Sequence, residues 1–247
     1  MCQKFRKLLF YPLNYGAKKK ILLIASKSNY NLMYFYVINN NLMKEKEKHW
    51  EKIYETKKLD GVSWFQKKPL TSLSLIEISN INKDAEIIDV GCGKSFLIDN
   101  LLEKKYSKVS LLDISNNALK EVESRTKNFP NSGVFYNSDI LDFKAKTSFD
   151  LWHDRAVFHF LTKSDEINKY VNICEKQINK NGYLIIGTFS ENGPLKCSGL
   201  EIRKYSVENL KELFSNSFKL VDHLNIDHVT PFDTIQNFNF CVLKKVN

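Results

Sequence analysis

From residue 86 onward, short apolar runs alternate with stretches whose apolar residues recur at helical spacing. Ile87-Ile88-Asp89-Val90, Val109 to Asp113, Val134-Phe135-Tyr136, Phe149 to Asp154 and Tyr183 to Phe189 read as strands. Tyr183 to Phe189 is apolar almost throughout, the pattern of a strand covered on both faces. Between the strands, residues 94–104, 116–127 and 164–179 predict helices, the last stopping near Asn181-Gly182. Upstream, residues 44–58 and 70–79 predict two more. Ser206-Val207-Glu208-Asn209 is a helix start, and longer strands follow at 218–229 and 235–245. Alternating strands and helices closed by a strand pair predict an α/β fold. The expected form is a Rossmann-like three-layer sandwich around a seven-stranded, mostly parallel sheet with one antiparallel strand. No repeat or low-complexity linker divides residues 44–247, so one domain is expected there.

The first strand runs into Asp89-Val90-Gly91-Cys92-Gly93-Lys94-Ser95, a carboxylate followed by a two-glycine turn that opens a helix. Such a turn lets the backbone approach a ligand, and the helix N-terminus offers unpaired N–H donors. A phosphate-binding P-loop needs Gly, four residues, then Gly-Lys-Ser/Thr. Gly93-Lys94-Ser95 imitates its ending, but Ile88 stands where the first Gly belongs, inside the strand. A dinucleotide site needs a third Gly for close helix–strand packing. Phe96 occupies that position, which weighs against NAD and FAD. The reading left is S-adenosylmethionine, which has no phosphate to cradle.

Two later strands also end in acids, Asp113 and Asp139. A carboxylate one βα unit after the glycine turn accepts hydrogen bonds from ribose hydroxyls. One further on, with an apolar neighbour, suits an adenine amino group and ring. Asp often closes strands merely because it favours turns and helix caps. Three such acids behind one glycine turn, at one sheet edge, favour a binding site.

On these residues the chain resembles the class I S-adenosylmethionine-dependent methyltransferases, over about residues 44–247. Asp89 to Gly93 matches their first motif, with Ser95 where a third Gly is common. The resemblance implies a cofactor site of Asp89, Gly91, Cys92, Gly93, Asp113, Ile114, Asp139 and Ile140, with Tyr54 and Trp64 as a lid. Phe149-Asp150-Leu151-Trp152-His153-Asp154-Arg155-Ala156-Val157-Phe158-His159-Phe160-Leu161 is similar to the fourth-strand segment of a small bacterial-type group of undefined substrate. That group also has a Trp-x-x-x-Tyr lead-in and a Cys-Ser-Gly-Leu stretch, present here as Trp50 to Tyr54 and Cys197 to Leu200.

The segment after the fourth strand is expected beside the transferred methyl, which makes His159, Asp154 and His153 the catalytic candidates. His159 is a possible general base near neutral pH. The plainer reading is a histidine bonded to a neighbouring carbonyl. Asp154 and Arg155 either pair with each other or orient the methionine end of the cofactor. Trp50, Tyr54 and Trp64 read either as a lid over the cofactor or as packing of the leading helices, Trp50 more as packing. Cys197 either lines the acceptor pocket or is a small buried residue, and Arg203 either binds an anionic group or is solvated.

Base-amino methyltransferases carry a Pro-Pro clamp after the fourth strand, absent here, so nucleic-acid substrates are disfavoured. A small-molecule acceptor is expected, with protein lysine methylation or a binding module without transfer activity as alternatives. Charge agrees: the net +9 includes seven basic residues and no acid in residues 1–43, and removing those seven leaves +2 for residues 44–247. Residues 1–43 read as a basic extension, either an organelle-targeting leader or an upstream stretch outside the translated protein, with translation starting at Met43. No run is long enough to span a membrane. The five cysteines form no C-x-x-C pair, which favours a reducing, cytoplasmic setting. His223 and His228 fall on opposite strand faces, and no metal site is expected.

Overall fold

A computed structural model describes residues 44–129 and 133–247, so the expectations for residues 1–43 lie outside the described residues. The order begins with α1 (residues 44–56) and α2 (Leu70–Ile78). The core follows as β1 (Glu86–Val90), α3 (Leu97–Glu103), β2 (Lys108–Asp113), α4 (Asn116–Thr126), β3 (Val134–Asn137), β4 (Phe149–Arg155), α5 (Ser164–Gln177) and β5 (Ile178–Phe189). A small hairpin, β6 (Lys196–Cys197) and β7 (Leu200–Glu201), precedes α6 (Val207–Leu213), β8 (Phe218–Val229) and β9 (Ile235–Lys245).

The main sheet has seven strands in the order β3-β2-β1-β4-β5-β9-β8. Only β9 runs against its neighbours β5 and β8; the other pairings are parallel. The fold class expected from the sequence is therefore the one observed. Strand order reverses between β1 and β4, and ligands of open α/β sheets bind outside the strand C-termini at such a switch point.

Strand alternation builds two cores. Ile87, Leu111, Leu151 and Ile185 point to the face covered by α2, α3 and α4, where Leu75, Ile76, Leu101 and Val122 are buried. Ile88, Leu112, Trp152 and Ile186 point to the other face, against Ile167 and Tyr170 of α5, Leu210 of α6 and Phe214 just after it. Period-two side chains with apolar residues on both sides explain the near-continuous hydrophobic runs.

Local chemistry moves several boundaries. Helix α3 starts at Leu97, later than Lys94, because Ser95 Oγ accepts from Leu97 N at 3.0 Å and Gly93 is left-handed (φ 51°). Helix α5 stops at Gln177, and β5 begins at Ile178, earlier than Tyr183. There Ile178 pairs with Phe149, and the register shifts before resuming at Leu151 with Tyr183. Lys245 Nζ donates to Glu175 O and Ile178 O, supplying partners for carbonyls at the helix end. The β6–β7 hairpin, turned by Ser198 (φ 52°) and Gly199 (φ 78°), was not foreseen.

Candidate active site

The register brings the sequence-predicted residues to one edge. Val90 pairs with Leu112 and with Asp154, Asp113 with Asn137, and Arg155 with Gly187. A cavity of about 270 Å³ opens at this edge, above the β1–β4 switch point. Gly91, Asp113, Ile114, Asp139 and Ile140 line one wall. Trp50, Trp64, Phe160, Phe189 and Phe238 add aromatic surface, and Tyr54 closes on the glycine turn. A smaller, more polar cavity beside it is lined by Asp89, Cys92, Ser72, His153, Trp64 and Arg155. Gly93 lines neither.

The glycine turn is tightly held. Gly91 is left-handed (φ 64°), and a Cβ there would lie 1.9 Å from Val157 Cγ2. A Cβ on Gly93 would meet the Tyr54 hydroxyl at 2.3 Å. Both glycines thus serve close approach and backbone conformation together. Gly93 N donates to Asp113 Oδ2 at 2.8 Å and Ser115 N donates to Asp113 Oδ1 at 2.8 Å. Burial outweighs these bonds and raises the Asp113 carboxyl to about 6. Asp139 Oδ1 accepts from Leu141 N at 2.8 Å. Asp113 and Asp139 each organise a turn and also line the cavity. Lys94, the P-loop mimic, donates to Tyr54 O at 2.8 Å and pairs with Glu121, fastening α1 to α4.

Helix α1 crosses the cavity mouth between two fastenings. Lys46 Nζ lies 3.2 Å from Glu166 Oε1 on α5. Glu51 Oε1 accepts from Asn116 N at 2.6 Å at the start of α4. Trp50 stacks with Tyr54, centroids 6.2 Å apart, and meets Phe160 edge-on at 5.2 Å. Trp50, read from sequence more as packing than as lid, also lines the cavity. The loop bearing Trp64 is pinned by Arg155 Nη1 to Trp64 O (3.0 Å), by the contact of His228 Nε2 with Ser63 O (2.7 Å) and by Gln236 Nε2 to Ser63 Oγ (3.2 Å).

The three catalytic candidates are not brought together. His153 is 2% exposed; its Nδ1 lies 2.6 Å from Asp89 Oδ1 and its Nε2 2.9 Å from Ser72 Oγ. It reaches the smaller cavity as a brace for Asp89. Asp154, one residue on, points to the opposite sheet face, as strand alternation requires. Its Oδ1 accepts from Val157 N and Phe158 N at 2.9 and 3.3 Å, and its Oδ2 from Tyr170 Oη at 2.5 Å. Burial raises its carboxyl to about 6. Asp154 therefore shapes the turn after β4 and does not pair with Arg155.

His159 is fully buried and lines neither cavity. Its ring packs against Phe160 and Phe189, and its Nδ1 accepts from Phe189 N at 3.4 Å. Burial, with Arg155 nearby, lowers it to about 3, so it is neutral and weakly basic near pH 7. The geometry gives no support to a general base there. Cys197 lines the cavity, buried, with its thiol raised to about 11 by burial. Arg203 is exposed beside Tyr205, away from the cavity. Sequence reasoning missed Ser72, Phe189, Leu200, Gln236 and Phe238; Phe189 and Phe238 carry no signal beyond strand hydrophobicity. Among the described residues, no group of three His, Cys, Asp or Glu is arranged to hold a metal ion, and no helix is long and apolar enough to cross a membrane.

Strand order, glycine turn and acid-lined switch point are those of the class I S-adenosylmethionine-dependent methyltransferase fold. Residues 81–240 match the model of the methyltransferase domain family, and the chain belongs to that family. A search of curated proteins finds no match. Among solved structures the chain is similar to the N-methyltransferase NodS from Bradyrhizobium japonicum WM9 in complex with S-adenosyl-L-homocysteine. Identity is 14%, covering 81% of this chain and all of that one (100%), with a TM-score of 0.60. It is also similar to 1,6-didemethyltoxoflavin-N1-methyltransferase from Burkholderia thailandensis, with bound 1,6-didemethyltoxoflavin and S-adenosylhomocysteine. There identity is 15%, covering 92% of this chain and 94% of that one, with a TM-score of 0.63. A third, a methyltransferase from Methanosarcina mazei, is 16% identical over 69% of this chain and 97% of that one, with a TM-score of 0.59. At these identities the likeness is one of fold.

Proposed function

We propose that the protein transfers a methyl group from S-adenosylmethionine to a small-molecule acceptor bound in the large cavity. The observation that carries this reading is a single cavity with two unlike walls. One wall holds the glycine turn, Asp113 and Asp139, and the other is aromatic. The first suits an adenosyl group and the second an apolar acceptor. The Burkholderia enzyme, similar in fold, holds a small heteroaromatic compound together with S-adenosylhomocysteine.

The residues present fit the cofactor. Asp113 is oriented by two backbone N–H groups, leaving acceptor capacity for ribose hydroxyls. Asp139 would accept from the adenine amino group, and Ile114 and Ile140 would offer apolar surface to the ring. Asp89, braced by His153, together with Gly91 and Cys92, meets the methionine end. S-adenosylmethionine supplies an electrophilic methyl on a sulfonium, already a good leaving group. The protein's contribution is to orient the acceptor and exclude water. Tyr54 and Trp64 provide π-surface toward the positive charge. His153 and Asp154 act through the residues they hold.

Calorimetric titration with S-adenosylmethionine, S-adenosylhomocysteine and NAD tests the cofactor. The first two are expected to bind and NAD not to; no binding of either adenosyl compound sinks the reading. Labelled methyl transfer into fractionated lysate tests the acceptor. Label confined to macromolecules overturns the small-molecule assignment.

A further inference from the structure

Arg155 ends β4 between the two cavities and lines both. Its Nη1 donates to Trp64 O at 3.0 Å, and its Nη2 is buried with no hydrogen-bond partner. A buried, unsatisfied guanidinium N–H on a residue that lines two cavities is costly unless a ligand completes it. The guanidinium carbon lies 5.6 Å from the Phe238 ring centroid, so it also belongs to the aromatic wall.

That wall carries no ready proton acceptor. The Tyr54 hydroxyl is raised well above its ordinary value and the Cys197 thiol to about 11, both chiefly by burial. Both are protonated near pH 7. Lys46, the other cation on the lining, is paired with Glu166, and Glu201 is exposed at the rim. Phe160, Phe189, Phe238 and Leu200 are apolar. Among the lining residues Arg155 is the cation without a carboxylate in a salt bridge, while the acids Asp113 and Asp139 belong to the cofactor side, so the aromatic side offers a donor for an anionic group.

We infer that the acceptor is an aromatic or aliphatic anion, a thiolate or a carboxylate, whose charge is held by Arg155 Nη2. This rests on the methyltransferase reading above. The anion's lone pair forms the bond to the methyl carbon as the carbon–sulfonium bond breaks and its electron pair stays on sulfur, so no proton moves. Arg155 is thereby a specificity-determining residue for the acceptor, a role separated from holding the cofactor's own carboxylate by the cofactor-product affinity of its variants.

Three ligands with one phenyl body separate the possibilities: thiophenol, benzoate and benzylamine. Each is titrated into the S-adenosylhomocysteine complex, following fluorescence of Trp50 and Trp64. Thiophenolate and benzoate are expected to bind and compete, and benzylamine to bind at least about tenfold more weakly, the worth of one charge-assisted hydrogen bond. Labelled transfer to thiophenol sulfur or benzoate oxygen distinguishes the two anions. In Arg155→Met, benzoate binding is expected to fall at least about tenfold with cofactor-product affinity retained. Arg155→Lys keeps the charge but not both donors, and is expected to fall between. Equal binding of benzylamine overturns the inference, as does unchanged benzoate binding in Arg155→Met. A selective loss of S-adenosylhomocysteine affinity in that variant assigns Arg155 to the cofactor and also overturns it. Failure of the wild-type protein to bind S-adenosylhomocysteine removes the methyltransferase reading itself, a distinct result.

Discussion

Gly91→Ala is the sharpest probe of the cofactor turn, because two independent costs meet at one atom. The residue is left-handed at φ 64°, where a Cβ adds about 1–2 kcal/mol of backbone strain. That Cβ would also sit 1.9 Å from Val157 Cγ2, whereas ordinary contact begins at 3.4 Å. Val157 cannot withdraw freely, since its N–H is tied to Asp154 Oδ1 at 2.9 Å. Overpacking of this kind costs about 1–3 kcal/mol. Together the variant is expected to lose about 2–5 kcal/mol of stability. Val157→Ala alone removes two methyl groups from a half-buried side chain and should cost about 1–2 kcal/mol. Combined, the two changes relieve the clash but not the backbone strain, so the double variant should be about 1–3 kcal/mol more stable than the sum of the singles predicts. Urea unfolding at constant m-value measures all four proteins. Additivity within about 0.5 kcal/mol would refute the packing of the turn against the β4 loop.

The remaining expectations concern titration and buried bonds. Asp113, raised to about 6, must be ionised to accept from ribose hydroxyls. Affinity for S-adenosylhomocysteine, followed by calorimetry, should therefore be flat above pH 7 and fall by up to about tenfold per unit below pH 6. Asp113→Asn should remove that dependence and weaken binding by about 1.5–3 kcal/mol, and a pH profile like the wild type's would show that another group is responsible. Asp154 is also raised to about 6, so its contribution to stability is fully present below its unfolded value near 4 and is lost as pH rises through 6. The stability difference between pH 5 and pH 8 should accordingly shrink in Asp154→Asn, by up to about 1.4 kcal/mol in urea unfolding, and identical slopes would contradict it. Ser72→Ala leaves His153 Nε2 buried without its partner and should cost about 1–3 kcal/mol of stability; a loss under a few tenths would mean that the Asp89–His153–Ser72 chain does not brace the site.

Residues 44–247 made much of this legible without coordinates. The alternation of apolar runs and amphipathic stretches follows from local periodicity, so strand and helix order, sheet class and the position of Asp89, Gly91, Asp113 and Asp139 could all be read directly. A parallel sheet buried on both faces leaves nearly continuous hydrophobic strands, and a glycine turn at a strand end has few alternatives. The roles of single side chains were less accessible. His153 and Asp154 are neighbours in sequence, yet strand alternation sends one to Asp89 and Ser72 and the other to Tyr170 on the opposite face. His159 looked available for chemistry, but residues near and far in sequence close around it and exclude water.

The order of elements and the acid-and-glycine wall are local properties of the chain, because both arise from periodicity and from residues within one βα unit of each other. Only the tertiary structure decided the other wall. Trp50, Trp64, Phe160, Phe189, Phe238 and Arg155 come from five separate segments, and their meeting depends on how α1, the Trp64 loop and the β8–β9 pair are fastened across the sheet edge. Burial and charge environment are sums over such distant neighbours. That is why the unpartnered donor of Arg155 and the neutral interior of His159 had no signature in the chain.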